Sequence, residues 1–185
     1  MPLSRTPYAA ALERLVAAGG VQEVVQAVMA WRELGLVDAI GLWLHHAPTD
    51  GLTFADARGV GTQLVNWRPG HRDAGGPLWE AMAGTEPVAI DLSMVPLALA
   101  APLRVADSAA WFAHGLHGPG GQIGGVVLCG HRVWEGDRVP CDAAGLALHR
   151  AKEADHHRWR SGWFDALAEL TQRCEAGISR RFPGI

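Results

Sequence analysis

Gly75-Gly76-Pro77-Leu78-Trp79-Glu80-Ala81-Met82-Ala83-Gly84-Thr85-Glu86-Pro87-Val88-Ala89-Ile90-Asp91 compresses a short helix, a turn and a strand into one passage. Pro77 suits the first helical position, where its missing N–H is not needed, and Gly84 suits the position past the last turn. Thr85-Glu86-Pro87 then redirects the chain, and Val88-Ala89-Ile90-Asp91 predicts a short strand. A helix of barely two turns buries little by itself, so the flanking chain has to supply a sheet for it to cover.

The flanks supply one. Residues 60–86 carry no strand pattern and read as a long connection punctuated by Gly61, Pro69, Gly70, Gly75 and Gly76. Before it, Ala39-Ile40-Gly41-Leu42-Trp43-Leu44 and Leu52 to Gly59 flank the turn signal Pro48-Thr49-Asp50-Gly51, which predicts a β-hairpin. Earlier still, Tyr8, Leu12, Leu15 and Val16 share one helical face. After Gly19-Gly20, the stripe Val21, Val24, Val25, Val28, Met29 predicts a second helix to about Leu34, with Gly35 as its stop. Downstream, Ala98-Leu99-Ala100-Ala101-Pro102-Leu103-Arg104-Val105 reads as a strand, residues 106–121 as a long loop, and Gln122 to Gly130 as a central, doubly buried strand. The last third is helical, with Asp142 as its cap. Trp159, Trp163, Leu167, Leu170 and Cys174 lie on one face, and Gly177 and Pro183 are stop signals that fit a native end or a linker. The sum is an α+β chain with helices at both ends.

That order resembles a GAF domain, the small-molecule sensor module of bacterial signalling proteins. Three stretches carry the likeness. The passage from Gly75 to Asp91 is similar to the family's glycine, short helix, "tGep", strand and Asp run. Ala100-Ala101-Pro102-Leu103-Arg104-Val105 resembles a strand in which Pro follows small apolar residues. Gly121 to Leu128, followed by Trp134-Glu135-Gly136-Asp137 and a helix, is similar to "iGvl.l" leading into "f...d...l..la". The likeness spans roughly residues 20–155. It implies an antiparallel sheet of about five or six strands. The N- and C-terminal helices would lie on one face; the connection and short helix would roof a ligand pocket on the other. It also implies a sensory domain over residues 1–155 and a helical extension over 156–185 that joins two copies. The alternative for that extension is folding back onto its own domain.

Eight Trp stand against one Tyr and four Phe. Trp67, Trp79 and Trp111 fall in the connection, short helix and late loop that would surround a pocket, with Trp43 on a strand beneath. Aromatic walls with few polar groups suit a small planar or apolar ligand, although the same rings also serve plain core packing. Asp91, Arg104, Arg68 and Arg72 are the candidate polar partners, since an Arg forks two hydrogen bonds onto a carboxylate or phosphate. The alternatives are a solvated surface for each Arg and a turn cap through Leu92-Ser93 for Asp91.

Other chemistries fit less well. His45-His46, His114, His117, His131, His149 and His156-His157 invite a metal, but no spacing makes two pairs converge. Some GAF domains resemble this one while holding haem through a His; His114, His117 or His149 could serve, and nothing selects among them. The glycine-rich run Gly115 to Gly121 precedes a strand and lacks the Lys-Ser/Thr of a phosphate-binding loop. The single lysine, Lys152, stands outside the region of the family's cyclic-nucleotide pattern, and residues 106–121 contain no Cys for bilin attachment. One enzymatic branch reduces free methionine sulfoxide through cysteines in the connection and late loop. Here the cysteines are Cys129, Cys141 and Cys174, outside both regions, and no G-x-S-x-G serine motif occurs.

The 185 residues suffice for one domain with a real core, and 49% hydrophobic against 19% charged residues makes it globular. A net charge of −3 argues against a nucleic-acid partner. Val88 to Val105, broken by Asp91, Pro96 and Pro102, is too interrupted to span a bilayer, and no secretory leader is visible. Three cysteines without a CxxC fit a reducing cytoplasm. The expectation is a cytoplasmic, homodimeric, non-enzymatic sensor of an unidentified small molecule, with no cofactor selected. The alternatives are a methionine sulfoxide reductase and a ligand-free dimerisation domain.

Overall fold

The computed structural model describes residues 6–69, 76–133 and 139–181, with side chains up to residue 169. Arg72, Trp134 to Asp137, Pro183 and the side chains of Leu170 and Cys174 lie outside the described residues.

The chain opens with two helices, α1 (Pro7–Ala17) and α2 (Val21–Met29). Thr6 caps α1, its hydroxyl accepting from the Ala9 N–H at 3.3 Å. α2 stops at Met29, short of the expected Leu34; turns follow, and Gly35 at φ 72° takes the left-handed conformation that ends them. The hairpin forms as expected from β1 (Ala39–His46) and β2 (Gly51–Arg58), with Asp50 left-handed at its turn. The short helix α3 spans Pro77–Ala83, with Pro77 and Gly84 in their expected roles, and β3 is only Val88–Ala89.

Two expectations are overturned next. The expected strand 98–105 is a helix, α4 (Leu97–Arg104), and the expected loop 106–121 contains a strand, β4 (Ala110–His117). Leu and Ala favour helix, and the buried positions Leu99, Ala100 and Leu103 lie on one helical face. Trp111 therefore sits on a strand, buried to 3% exposure, rather than in a loop. β5 (Ile123–His131) and α5 (Cys141–Arg181) complete the chain.

The five strands form one antiparallel sheet in the order β2-β1-β5-β4-β3, so β5 is central as expected. Strand alternation sends side chains to two cores. Ile40, Leu42, Val127, Cys129 and Leu116 pack under α1, α2 and α5. Ala39, Trp43, Val126, Leu128, Trp111 and Ala113 pack under α3, α4 and the connection. Two glycines set the spacing between layers: a Cβ on Gly145 of α5 would overlap the His117 main chain, and one on Gly115 would overlap the Ala81 carbonyl. Among the described residues no helix is long and apolar enough to cross a membrane.

Candidate functional site

The roof over the second core is held by a few specific contacts. Gly61 donates its N–H to the Pro102 carbonyl at 2.9 Å, which ties the connection to α4. Leu64 inserts beneath, and Trp67 meets Trp43 edge-on at 5.6 Å. Trp43 also meets Phe54 edge-on at 5.7 Å, so the ring on β1 is clasped between β2 and the roof. The ring of His117 hydrogen-bonds the Met82 carbonyl at 2.9 Å and secures α3 against β4.

A cavity of about 310 Å³ opens between these pieces, walled by Trp67, Arg68, Trp79, Met94, Pro96 and Leu99 among others. Trp67 and Trp79, two of the rings expected from sequence, face this one space. Trp43 and Trp111 do not line it; both are buried in the layer beneath, and among the described residues neither indole N–H has a hydrogen-bond partner. An unpaired buried N–H is unusual and costs roughly 1–3 kcal/mol.

The charged candidates separate. Asp91 stays on the surface, accepting from the Ser93 N–H at 2.8 Å and the Ser93 hydroxyl at 2.6 Å. Those bonds hold its carboxyl below the usual carboxylate pKa, the hydroxyl contributing most. The turn-cap alternative is thus the observed arrangement. Arg104 donates to the Leu92 carbonyl at 3.2 Å and is likewise absent from the cavity wall. Among the described residues Arg68 is the charged residue that lines it, with Nη1 donating to the Val65 carbonyl at 2.6 Å and the Trp67 carbonyl at 3.3 Å. Met94, Pro96 and Leu99 were not anticipated, because reading 98–105 as a strand removed that wall; the Leu-Ala composition was the available signal.

Cys129 and Cys141 are buried in the core on the other side of the sheet, under the long helices. His114 is buried on β4, and among the described residues no group of three or more His, Cys, Asp or Glu is arranged to hold a metal. Sequence reading did not foresee that His45 and His46 meet His149, His156 and His157 across one surface groove with Lys152.

No family model matches the sequence, and no curated protein matches it. Solved structures do match in fold. The GAF domain of a phosphoenolpyruvate-protein phosphotransferase from Coxiella burnetii superposes with a TM-score of 0.59 at 15% identity, covering 84% of this chain and 95% of that one. Free methionine-R-sulfoxide reductase from Neisseria meningitidis, solved with its substrate, gives 0.56 at 15%, covering 80% and 87%. A far-red-absorbing protein with bound biliverdin gives 0.56 at 12%, covering 79% and 99%. The five-stranded sheet, its two-sided cover and these superpositions agree: the chain has the GAF fold.

Proposed function

We propose that this protein is a sensory domain that binds a small flat molecule in the cavity under α3 and α4 and passes the change to α5. The observation that carries the reading is the cavity walled by Trp67 and Trp79, with Arg68 at its edge. Its volume of about 310 Å³ is at the low end for ligand pockets, roughly 300–1,000 Å³. One or two fused rings suit it, and a four-ring tetrapyrrole such as the biliverdin of the related structure does not. Among the described residues the Nε and Nη2 edge of Arg68 makes no hydrogen bond, which suits a carboxylate on the ligand. Asp91, Arg104, Trp43 and Trp111 take supporting places in this proposal: the first two hold the turn before α4, the last two pack in the layer beneath the cavity without lining it.

The reductase alternative gains no support from the thiols, since Cys129 and Cys141 face the opposite core. Replacing Cys129, Cys141 and Cys174 with Ser and assaying sulfoxide reduction checks it: activity in the wild type that the triple variant loses would restore that reading.

Calorimetric titration with indole and indole-3-carboxylate, beside native mass spectrometry for a co-purified ligand, tests the sensor reading. Indole-3-carboxylate is expected to bind at least tenfold tighter than indole, a gain of about 1.4 kcal/mol. Arg68→Met should erase that difference, and Trp67→Ala should weaken both compounds about tenfold. Absence of binding by either compound together with no co-purified molecule would leave the ligand-free dimerisation domain as the better reading.

A further inference from the structure

The groove that gathers the histidines shares no lining residue with the roof cavity. It encloses about 780 Å³ between the β1–β2 turn, the residues leading into β5, and α5. At its centre is Lys152, the chain's only lysine. Its Nζ donates to the His45 carbonyl and the Gly124 carbonyl, each at 3.0 Å, and so clips the ends of neighbouring strands β1 and β5. An ammonium carries three N–H groups, and these two bonds leave one. Among the described residues Lys152 has no ion-pair partner, and its half-buried position pushes its pKa down. An ammonium held in a concave wall without a direct ion pair leaves its third N–H for an anionic acceptor.

The rest of the lining fits an anion. The two carboxylates in the groove are both engaged: Asp50 with the His45 Nε2 at 2.9 Å, and Glu153 with the His149 Nε2 at 3.4 Å. His46 bonds the Thr49 hydroxyl through Nδ1 at 2.9 Å, while His156 and His157 stand exposed on α5. With all five rings neutral, the carboxylates Asp50 and Glu153 outnumber Lys152 by one charge; two protons taken up by the rings reverse the sign. Histidine as a residue type is the side chain whose charge ordinarily changes between about pH 5 and 8. Gly121, at the groove edge, has φ 76°, and nothing lies within 4 Å of where a Cβ would stand. The main chain there is open to close approach by a ligand.

We propose that this groove is a second, pH-gated site for a small multivalent anion bearing phosphate or carboxylate groups, with Lys152 as its anchor and protonated imidazoles as its charged wall. Calorimetry on the full chain with inorganic phosphate, and separately with citrate, at about pH 6 and about pH 8 tests it. Binding is expected at the lower pH and at least tenfold weaker at the higher. Both probes gain negative charge as pH rises, so weakening must come from the protein. The tighter of the two probes identifies the headgroup.

Lys152→Met should lose about tenfold at the lower pH while indole-3-carboxylate titrates the roof cavity as before. Should loss of the strand clip prevent folding, His156→Gln/His157→Gln decides instead, because both side chains are exposed on α5. That pair is expected to keep its melting temperature and lose most of the pH dependence. No binding of either anion at the lower pH, equal binding at both pH values, or unchanged behaviour in the folded variants would overturn the proposal.

Discussion

Asp155 shows how one side chain joins distant parts of the chain. α2 starts at Val21, and the residue before it, Gly20, has no side chain to cap it. Asp155, from α5, fills that role by accepting the Val21 N–H at 3.3 Å, while its other oxygen pairs with Arg158. Close by, Arg150 donates to the carbonyls of Leu15, Val16 and Ala18 at 3.0–3.2 Å and closes the end of α1. The Arg158 bond first, and the Val21 bond second, hold the Asp155 carboxyl below its ordinary value. The sign follows from linkage. A carboxyl whose folded pKa is depressed adds stability that is fully present above its unfolded pKa, and loses it as pH falls through the folded value. Thermal melts of Asp155→Asn should therefore lie below wild type at neutral pH and converge on it below about pH 3.8. A constant gap across that range would mean that the carboxylate charge is not what caps α2. Neither the Asp155–Val21 bond nor the Arg150 bonds were legible in sequence, since each joins residues more than a hundred positions apart. The tryptophans were partly legible: abundance and placement pointed to Trp67 and Trp79, but the same signal swept in Trp43 and Trp111, which pack below the cavity.

At the scale of elements, the local grammar of turns and caps read well where it was strong. Pro77 and Gly84 bounded α3, Asp50-Gly51 bent the hairpin, and the apolar run of β5 marked the sheet centre. It failed at two adjoining elements for definite reasons. In α4 the alternation Leu97-Ala98-Leu99-Ala100 imitates the period of a strand, although Pro102 argues against an interior strand and Leu and Ala favour helix. In β4 the run Ala110-Trp111-Phe112-Ala113-His114-Gly115-Leu116-His117 hides a strand behind a glycine that exists because α3 sits against it. Tertiary packing chose that residue, so no local rule could read it. The same closeness yields a test at Gly61. Its φ of −64° is open to any residue, so alanine there would gain roughly 0.4–1 kcal/mol from the unfolded chain alone. Its Cβ, however, would stand 3.0 Å from the Pro102 Cα, a main-chain atom that cannot swing aside. Overpacking of about 1–3 kcal/mol wins. Gly61→Ala should lower stability by about 1–2 kcal/mol in urea and weaken indole-3-carboxylate by parting α4 from the connection. A variant more stable than wild type would show that the seam yields.

For the whole molecule, the decisive feature is how α5 leaves the domain. Its first turns are core: Ala144, Leu148 and Ala151 are each no more than 1% exposed. Farther on, Trp159 is 65% exposed, Trp163 55% and Phe164 60%, with Leu167 also open. The rings of Trp159 and Trp163 stack on each other at 6.3 Å, which orders the stripe without covering it. A lone helix in water has little to hold it, and most helical stability comes from packing an apolar face. Among the described residues Trp159, Trp163 and Phe164 are exposed and belong to neither core. A second copy offers the same stripe in a two-fold arrangement, and positions 159, 163, 167, 170 and 174, spaced 4, 4, 3 and 4, come near the 3-4 alternation of a heptad. Such a pair of helices would also give the proposed sensor its output, because α5 carries the contacts that bind α1 and α2 and lines the histidine groove. Sedimentation of the full chain is thus expected to find a dimer. Trp159→Glu/Trp163→Glu should yield monomers at the same concentration, with the melting of the sheet domain unchanged, because neither ring touches its core. A wild-type protein that stays monomeric as concentration rises would remove the second copy from this face, and with it the route by which ligand binding reaches beyond the domain.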